Sequence, residues 1–128
     1  MRIREESGAI EQVLALVRRG VVELISGEAL RHEIRRNPSE EQRLECEALI
    51  SLAFATVEMD EHVLNRANAL EAVGYGAYDA LHVASAESAG ADALLSTDDR
   101  FLKRAARGIG NPRVAVLNPV FWIKEHRR

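Results

Sequence analysis

Apolar residues recur at Ile10, Val13, Leu14 and Val17, the i, i+3, i+4, i+7 spacing of one helix face, and Gly20 follows as a stop. The spacing predicts a helix over about 5–19. Val21-Val22-Glu23-Leu24-Ile25 is a short β-branched run and predicts a strand. A helix of about 27–36 comes next, closed by Asn37-Pro38. Ser39, with Gln42 three positions on, predicts a capping box. Leu44, Ala48, Leu49 and Leu52 carry that helix to about residue 53. Ala55-Thr56-Val57-Glu58-Met59 predicts a second strand. Asp60 fits the N-cap of a helix with Val63, Leu64, Ala67 and Leu70 inward, ending before Gly74. A helix over about 77–89 ends at Gly90. Ala93-Leu94-Leu95 then predicts a third strand, 98–107 a helix, and 113–117 a fourth strand. Asn118-Pro119 opens a last short helix with Phe121 and Trp122.

Strands alternating with helices imply a parallel sheet covered on both faces: a three-layer α/β/α architecture with about four strands, one domain over residues 1–128. The helix of 77–89 is rich in Ala and Ser, and small residues allow close packing against a sheet or another helix. A hydrophobic content of 47% with 29% charged residues is ordinary for a soluble globular chain. The net charge of −3 excludes a global basic field, so a nucleic-acid partner must be met by a local patch. Cys46 is the sole cysteine, which excludes an internal disulfide, fits a reducing cytoplasm and reads as a small buried hydrophobe. No apolar run approaches the length of a membrane span, and no apolar core follows Met1-Arg2-Ile3-Arg4-Glu5-Glu6, so neither a span nor a signal peptide is expected.

The acids carry the candidate chemistry. In a parallel α/β sheet, helix N-termini sit at the carboxyl edge of the strands, where ligands bind. Asp79 lies in the first turn of one such helix, and Asp98 and Asp99 lie just past a strand end. Glu33, on the helix after the first strand, can lean over the same edge. Like charges brought together raise one another's pKa unless a cation intervenes. Mg²⁺ or Mn²⁺ takes carboxylate oxygens, completed by waters and phosphate, and activates water. The same acids also fit ordinary helix caps, and the spacing alone leaves both readings open. His82, one turn after Asp79, fits a packed, hydrogen-bonded histidine or a supporting residue. Arg100, Lys103, Arg104 and Arg107 form one cationic stripe, and Arg31 with Arg35 a second; either is a solvated face or a seat for phosphates. Tyr75 and Tyr78 are too few for a base-stacking platform.

Tyr78-Asp79-Ala80-Leu81-His82-Val83-Ala84, then Leu95-Ser96-Thr97-Asp98-Asp99-Arg100-Phe101, then Val114-Ala115-Val116-Leu117 with Asn118-Pro119, resemble the C-terminal half of PIN domains, in the version found in VapC-type toxin nucleases. Ile25-Ser26-Gly27-Glu28-Ala29-Leu30-Arg31-His32-Glu33-Ile34 resembles the family's strand-to-helix segment bearing its second acid. The likeness runs from about residue 10 over nearly the whole chain. It implies Glu33, Asp79 and Asp99 as metal-site acids, Asp98 as an assisting neighbour, and Thr97 as the hydroxyl of a Thr-x-Asp motif. It implies Mg²⁺- or Mn²⁺-dependent hydrolysis of RNA phosphodiesters, an antitoxin protein that blocks the site, and a homodimer in the cytoplasm.

The chain departs from the family at its start. PIN domains open with a central strand ending in an Asp, whereas here the first Asp is Asp60. The resemblance therefore implies a PIN-like sheet without its central first strand, with three explanations open: a sequence that starts late, completion by a neighbouring molecule, or closure of the flanking strands on each other. Two functions follow: a toxin-type endoribonuclease impaired by that loss, or a catalytically inactive PIN-like domain that binds a protein or RNA.

Overall fold

Changes of hydrophobic period along the chain set the element order. In the computed structural model, which describes residues 2–126, α1 (Arg2–Arg18) leads to β1 (Ile25–Gly27) and α2 (Glu28–Arg35). They are followed by α3 (Glu40–Ile50), β2 (Ala55–Val57), α4 (Glu61–Ala72) and α5 (Ala77–Ala89). β3 (Ala93–Leu95), α6 (Asp99–Ala106), β4 (Ala115–Leu117) and α7 (Pro119–Glu125) complete the chain. The helix boundaries follow local chemistry. Ser39 accepts from the Gln42 amide, Asp60 from Val63 and Asn118 from Val120, each satisfying an amide the helix cannot. The box expected at Ser39 closes differently, because the Ser39 amide donates to Asn37 Oδ1 at 2.9 Å while Gln42 Oε1 accepts from Asn37 Nδ2.

Helix ends explain why the strands are shorter than the β-branched runs. Gly20 has φ 74°, its amide bonds Val17 O, and Val21 N reaches back to Leu16 O. This is a glycine-based helix stop, and it spends Val21 on closing α1 rather than on a strand. The same pattern ends α4 at Gly74-Tyr75 and α5 at Gly90-Ala91. Pairing resumes at Leu24, whose carbonyl accepts from Phe54 N at 2.7 Å.

The fold is α/β with short parallel strands. β1 pairs with β2 (Ile25 opposite Ala55), and β3 pairs with β4 (Ala93 opposite Ala115). The four strands thus stand as two pairs rather than one continuous sheet; among the described residues β1 and β3 share no ladder. α5 packs on β1, β2 and β3, so one helix underlies both pairs. Its small residues serve this: Ala80, Ala84 and Ser85 are buried, and a Cβ on Gly27 would already lie 3.7 Å from that of Ser85.

The main core joins Val63, Ala67 and Leu70 of α4 to Ala80, Val83 and Ala84 of α5, with Tyr75, Phe101 and Val114. A second cluster holds α1 to α7 through Ala9, Val13 and Ile123. Leu64, expected inward, is exposed because it lies beside the buried 63-67-70 stripe. α3 buries nothing among its residues and packs on α2; Leu44 is 59% exposed and Cys46 only half-buried, against the expected inward faces. One ion pair crosses the core edge. Arg66 on α4 grips Glu87 on α5 at 2.8 and 3.1 Å and also donates to the Gly110 carbonyl. Glu87 accepts the Arg113 amide as well, fastening the turn before β4.

Candidate active site

β1 runs directly into α2, and β3 reaches α6 through a short loop, so their strand ends hand the chain to helix N-termini. α5 starts at Gly76 without a side-chain cap, and Asp79 sits half-buried in its first turn. Its carboxyl is held above the ordinary carboxylate range. Burial is the largest cause and the charge of Asp98 the next; Glu33 pushes the same way, while His82 and Arg104 oppose. Asp79 on α5 therefore feels one acid from α2 and one from the start of α6.

Each acid also has a local engagement. Asp98 is the N-cap of α6: its Oδ1 accepts from the Arg100 and Phe101 amides at 3.0 and 3.2 Å, and its own amide donates to Ser96 Oγ at 3.1 Å. The capping reading thus holds for this residue. Glu33 Oε1 accepts from His82 Nε2 at 3.0 Å. Next to that bond, His32 Nδ1 pairs with the Tyr78 hydroxyl at 2.7 Å, and the Tyr78 and His82 rings stack with centroids 6.2 Å apart. Asp99 occupies the first position of α6, and Thr97 lies in the loop before it; both are exposed. Among the described residues, no three His, Cys, Asp or Glu side chains come close enough to cage a metal unaided. The sequence reading missed the His32–Tyr78 pair and the Ser96 contact, although Tyr78 and His82 at i and i+4 on either side of Asp79 were the available signal.

The PIN domain family model matches residues 3–107. The chain belongs to the PIN-domain family. No curated protein and no solved structure matches it. The matched span of this PIN domain runs from α1 through α6 and holds Glu33, Asp79, Asp98 and Asp99. PIN domains form a nuclease-like superfamily, which sets the class of chemistry. Among the described residues no helix is long and apolar enough to cross a membrane.

The expected cations of this PIN domain divide into two kinds. Arg104 is half-buried, lies over the Tyr75 ring at 5.9 Å from the centroid, and bears electrostatically on Asp79. Arg100, Lys103 and Arg107 are exposed, so the expected single stripe splits between a packed cation and free ones. Arg31 and Arg35 are exposed beside a hollow also lined by Ile34, Glu47 and Ile50. Tyr75 is a core residue whose hydroxyl donates to Ile109 O at 2.7 Å. The donor chemistry suits a hard cation. Mg²⁺ commonly takes only one or two carboxylates, with waters and substrate oxygens completing its shell. Asp79 and a neighbouring acid are the donor type such an ion takes, while among the described residues a closed all-protein cage is not built.

Proposed function

We propose that this PIN domain is a metal-dependent endoribonuclease of toxin–antitoxin type that hydrolyses RNA phosphodiester bonds. The observation that carries the reading is Asp79, half-buried in a helix first turn with its carboxyl pushed up by burial, Asp98 and Glu33. Acids kept together at such a cost are typical of sites that work on a cation. Asp79, Glu33, Asp98 and Asp99 are the residues to hold Mg²⁺ or Mn²⁺, with Thr97 supporting the segment that carries the last two. When bound, such an ion supplies a polarised phosphoryl oxygen and a water of lowered pKa. Arg31, Arg35, Arg100, Lys103 and Arg104 are the cations to take the RNA backbone on either side of the reacting phosphate. His82 secures Glu33. An antitoxin that covers the acids, a homodimer and a cytoplasmic location complete the proposal; the exposed Val21, Leu44 and Phe54 are apolar surface that a second chain would bury.

The test is cleavage of a labelled single-stranded RNA with Mn²⁺ by the native chain, Asp79→Asn and Asp99→Asn. The proposal expects activity in the native chain and its loss in both variants. Equal activity in all three assigns the cleavage to another site or to a contaminant.

One observation favours a second reading, a PIN-like module that binds without cleaving. Among the described residues the strands form two pairs rather than one sheet, and the buried hydroxyls of Ser26 on β1 and Ser85 on α5 find no hydrogen-bond partner. Buried polar groups ordinarily find partners, so this region fits completion by another segment or chain. RNA retention in EDTA without cleavage in Mn²⁺ would select this reading.

A further inference from the structure

Glu33 and Asp79 lie on different helices, 46 positions apart, and two side-chain contacts join those helices. The consecutive residues His32 and Glu33 on α2 meet Tyr78 and His82, which are i and i+4 on α5. One hydrogen bond joins His32 to Tyr78, a second joins Glu33 to His82, and the two α5 rings stack at an interplanar angle of 17°. An ionised carboxylate only accepts, so His82 Nε2 carries the proton of the 3.0 Å bond. The side chain of His82 is 17% exposed and that of Glu33 45% exposed, so the more buried partner locates the freer one. His82 also acts on Asp79 in the opposite sense to Glu33 and Asp98. One imidazole therefore touches the Glu33 carboxylate directly and also bears on the neighbouring Asp79.

We propose that His82 is a positioning residue, held by the stacked Tyr78 ring, that sets Glu33 beside Asp79 for a shared divalent cation. The inference rests on the metal-dependent reading above. It explains why an exposed acid in the second turn of α2 has a defined place at the site at all. A free glutamate would lose rotamer freedom on every binding event, and a fixed one has already lost it.

The experiment is Mn²⁺ binding to the RNA-free protein by isothermal titration calorimetry. His82→Phe keeps a flat ring for Tyr78 and removes the donor, whereas His82→Gln keeps a donor of similar reach. Removing a group that orients a metal-binding side chain typically weakens binding about 10–100-fold. His82→Phe should bind Mn²⁺ about tenfold more weakly, and His82→Gln should recover most of that loss. In a Glu33→Gln background, His82→Phe should cost nothing further, because its effect passes through Glu33. Circular dichroism checks the fold of each variant, and His82→Leu replaces His82→Phe if the latter does not fold. If His82→Phe binds like the native chain while Asp79→Asn does not bind, the positioning role is wrong and the metal site stands. Equal losses in both backgrounds also refute the role, since His82 would then act independently of Glu33. Should the native chain bind no Mn²⁺, the metal reading fails and takes this inference with it.

Discussion

Replacing Asp79 by Asn should change stability in opposite directions with and without a divalent cation. In the cation-free protein, burial together with the charges of Asp98 and Glu33 disfavours the ionised carboxyl. The first turn of α5 works against this, since an anion there typically gains about 0.3–1 kcal/mol. The raised position of the Asp79 carboxyl shows that burial and repulsion win. Neutralising a strained functional group commonly stabilises by about 0.5–2 kcal/mol, so about 1 kcal/mol is expected here. At about 2.1 cal/mol/K per residue, the unfolding entropy of a chain this long makes 1 kcal/mol worth about 4 °C in Tm. Asp79→Asn should therefore melt about 4 °C above the native chain at pH 7 in EDTA. Because the folded-state carboxyl lies above its unfolded value, its favourable contribution is complete below the unfolded value and disappears as pH rises through the folded one. The gap between the two proteins should accordingly vanish near pH 3 and open toward neutrality. Mn²⁺ at 100 times its Kd should then add about 2.7 kcal/mol, or about 10 °C, to the native chain alone. The two melting curves must cross as Mn²⁺ is added, read by circular dichroism. A variant that is less stable in EDTA, or that gains as much from Mn²⁺ as the native chain, would refute the reasoning.

Three further substitutions test the scaffold. Glu87→Gln removes a carboxylate that is 5% exposed and accepts from Arg66 twice and from the Arg113 amide once, and should cost about 2 kcal/mol in urea unfolding at pH 7. Burial alone would raise the Glu87 carboxyl, but the hydrogen bonds from Arg66 and Arg113 and their charges outweigh it and hold it low. Its stabilisation is thus present above the unfolded carboxylate value and lost as pH falls through the folded one, so the difference should shrink toward pH 3. Leu70→Ala empties a fully buried position and should cost about 3 kcal/mol, with the denaturant slope unchanged. Gly110→Ala places a Cβ at φ 73° and 2.7 Å from Leu70 Cδ2, a side chain with no room to yield, and should lower stability by at least about 2 kcal/mol by the same assay.

Most of the fold was legible because its signals are local. Ser39, Asp60 and Asn118 cap helices through their own side chains, and the α5 and β3 bounds follow from Gly90 and from a three-residue apolar run. The failures are non-local or compete with another local rule. Val21 was lost from the strand because a glycine stop claimed its amide. The periodic apolar face of α3 reads as core, yet burial depends on a partner, and α3 rests on α2 without burying a residue. Division of the strands into two pairs cannot be read from the runs themselves, which carry no record of their neighbours. At the site, the topology rule expects Glu33, Asp79 and Asp98 at one edge, and Asp79 does feel the charges of Asp98 and Glu33. It could not foresee that Asp98 also caps α6 or that Tyr78 reaches His32, because side-chain direction decides both. Arg104 shows the same limit: its spacing matched a solvated stripe, and only the position of Tyr75 turns it inward.

The central claim is that these acids share a divalent cation. Anomalous diffraction from crystals grown with Mn²⁺ tests it most directly. A peak is expected within coordination distance, about 2–2.3 Å, of an Asp79 carboxylate oxygen, with Glu33 or an Asp of the 98–99 pair as its neighbour. A Mn²⁺ peak elsewhere on the surface, with Asp79 left to protein contacts alone, would contradict it.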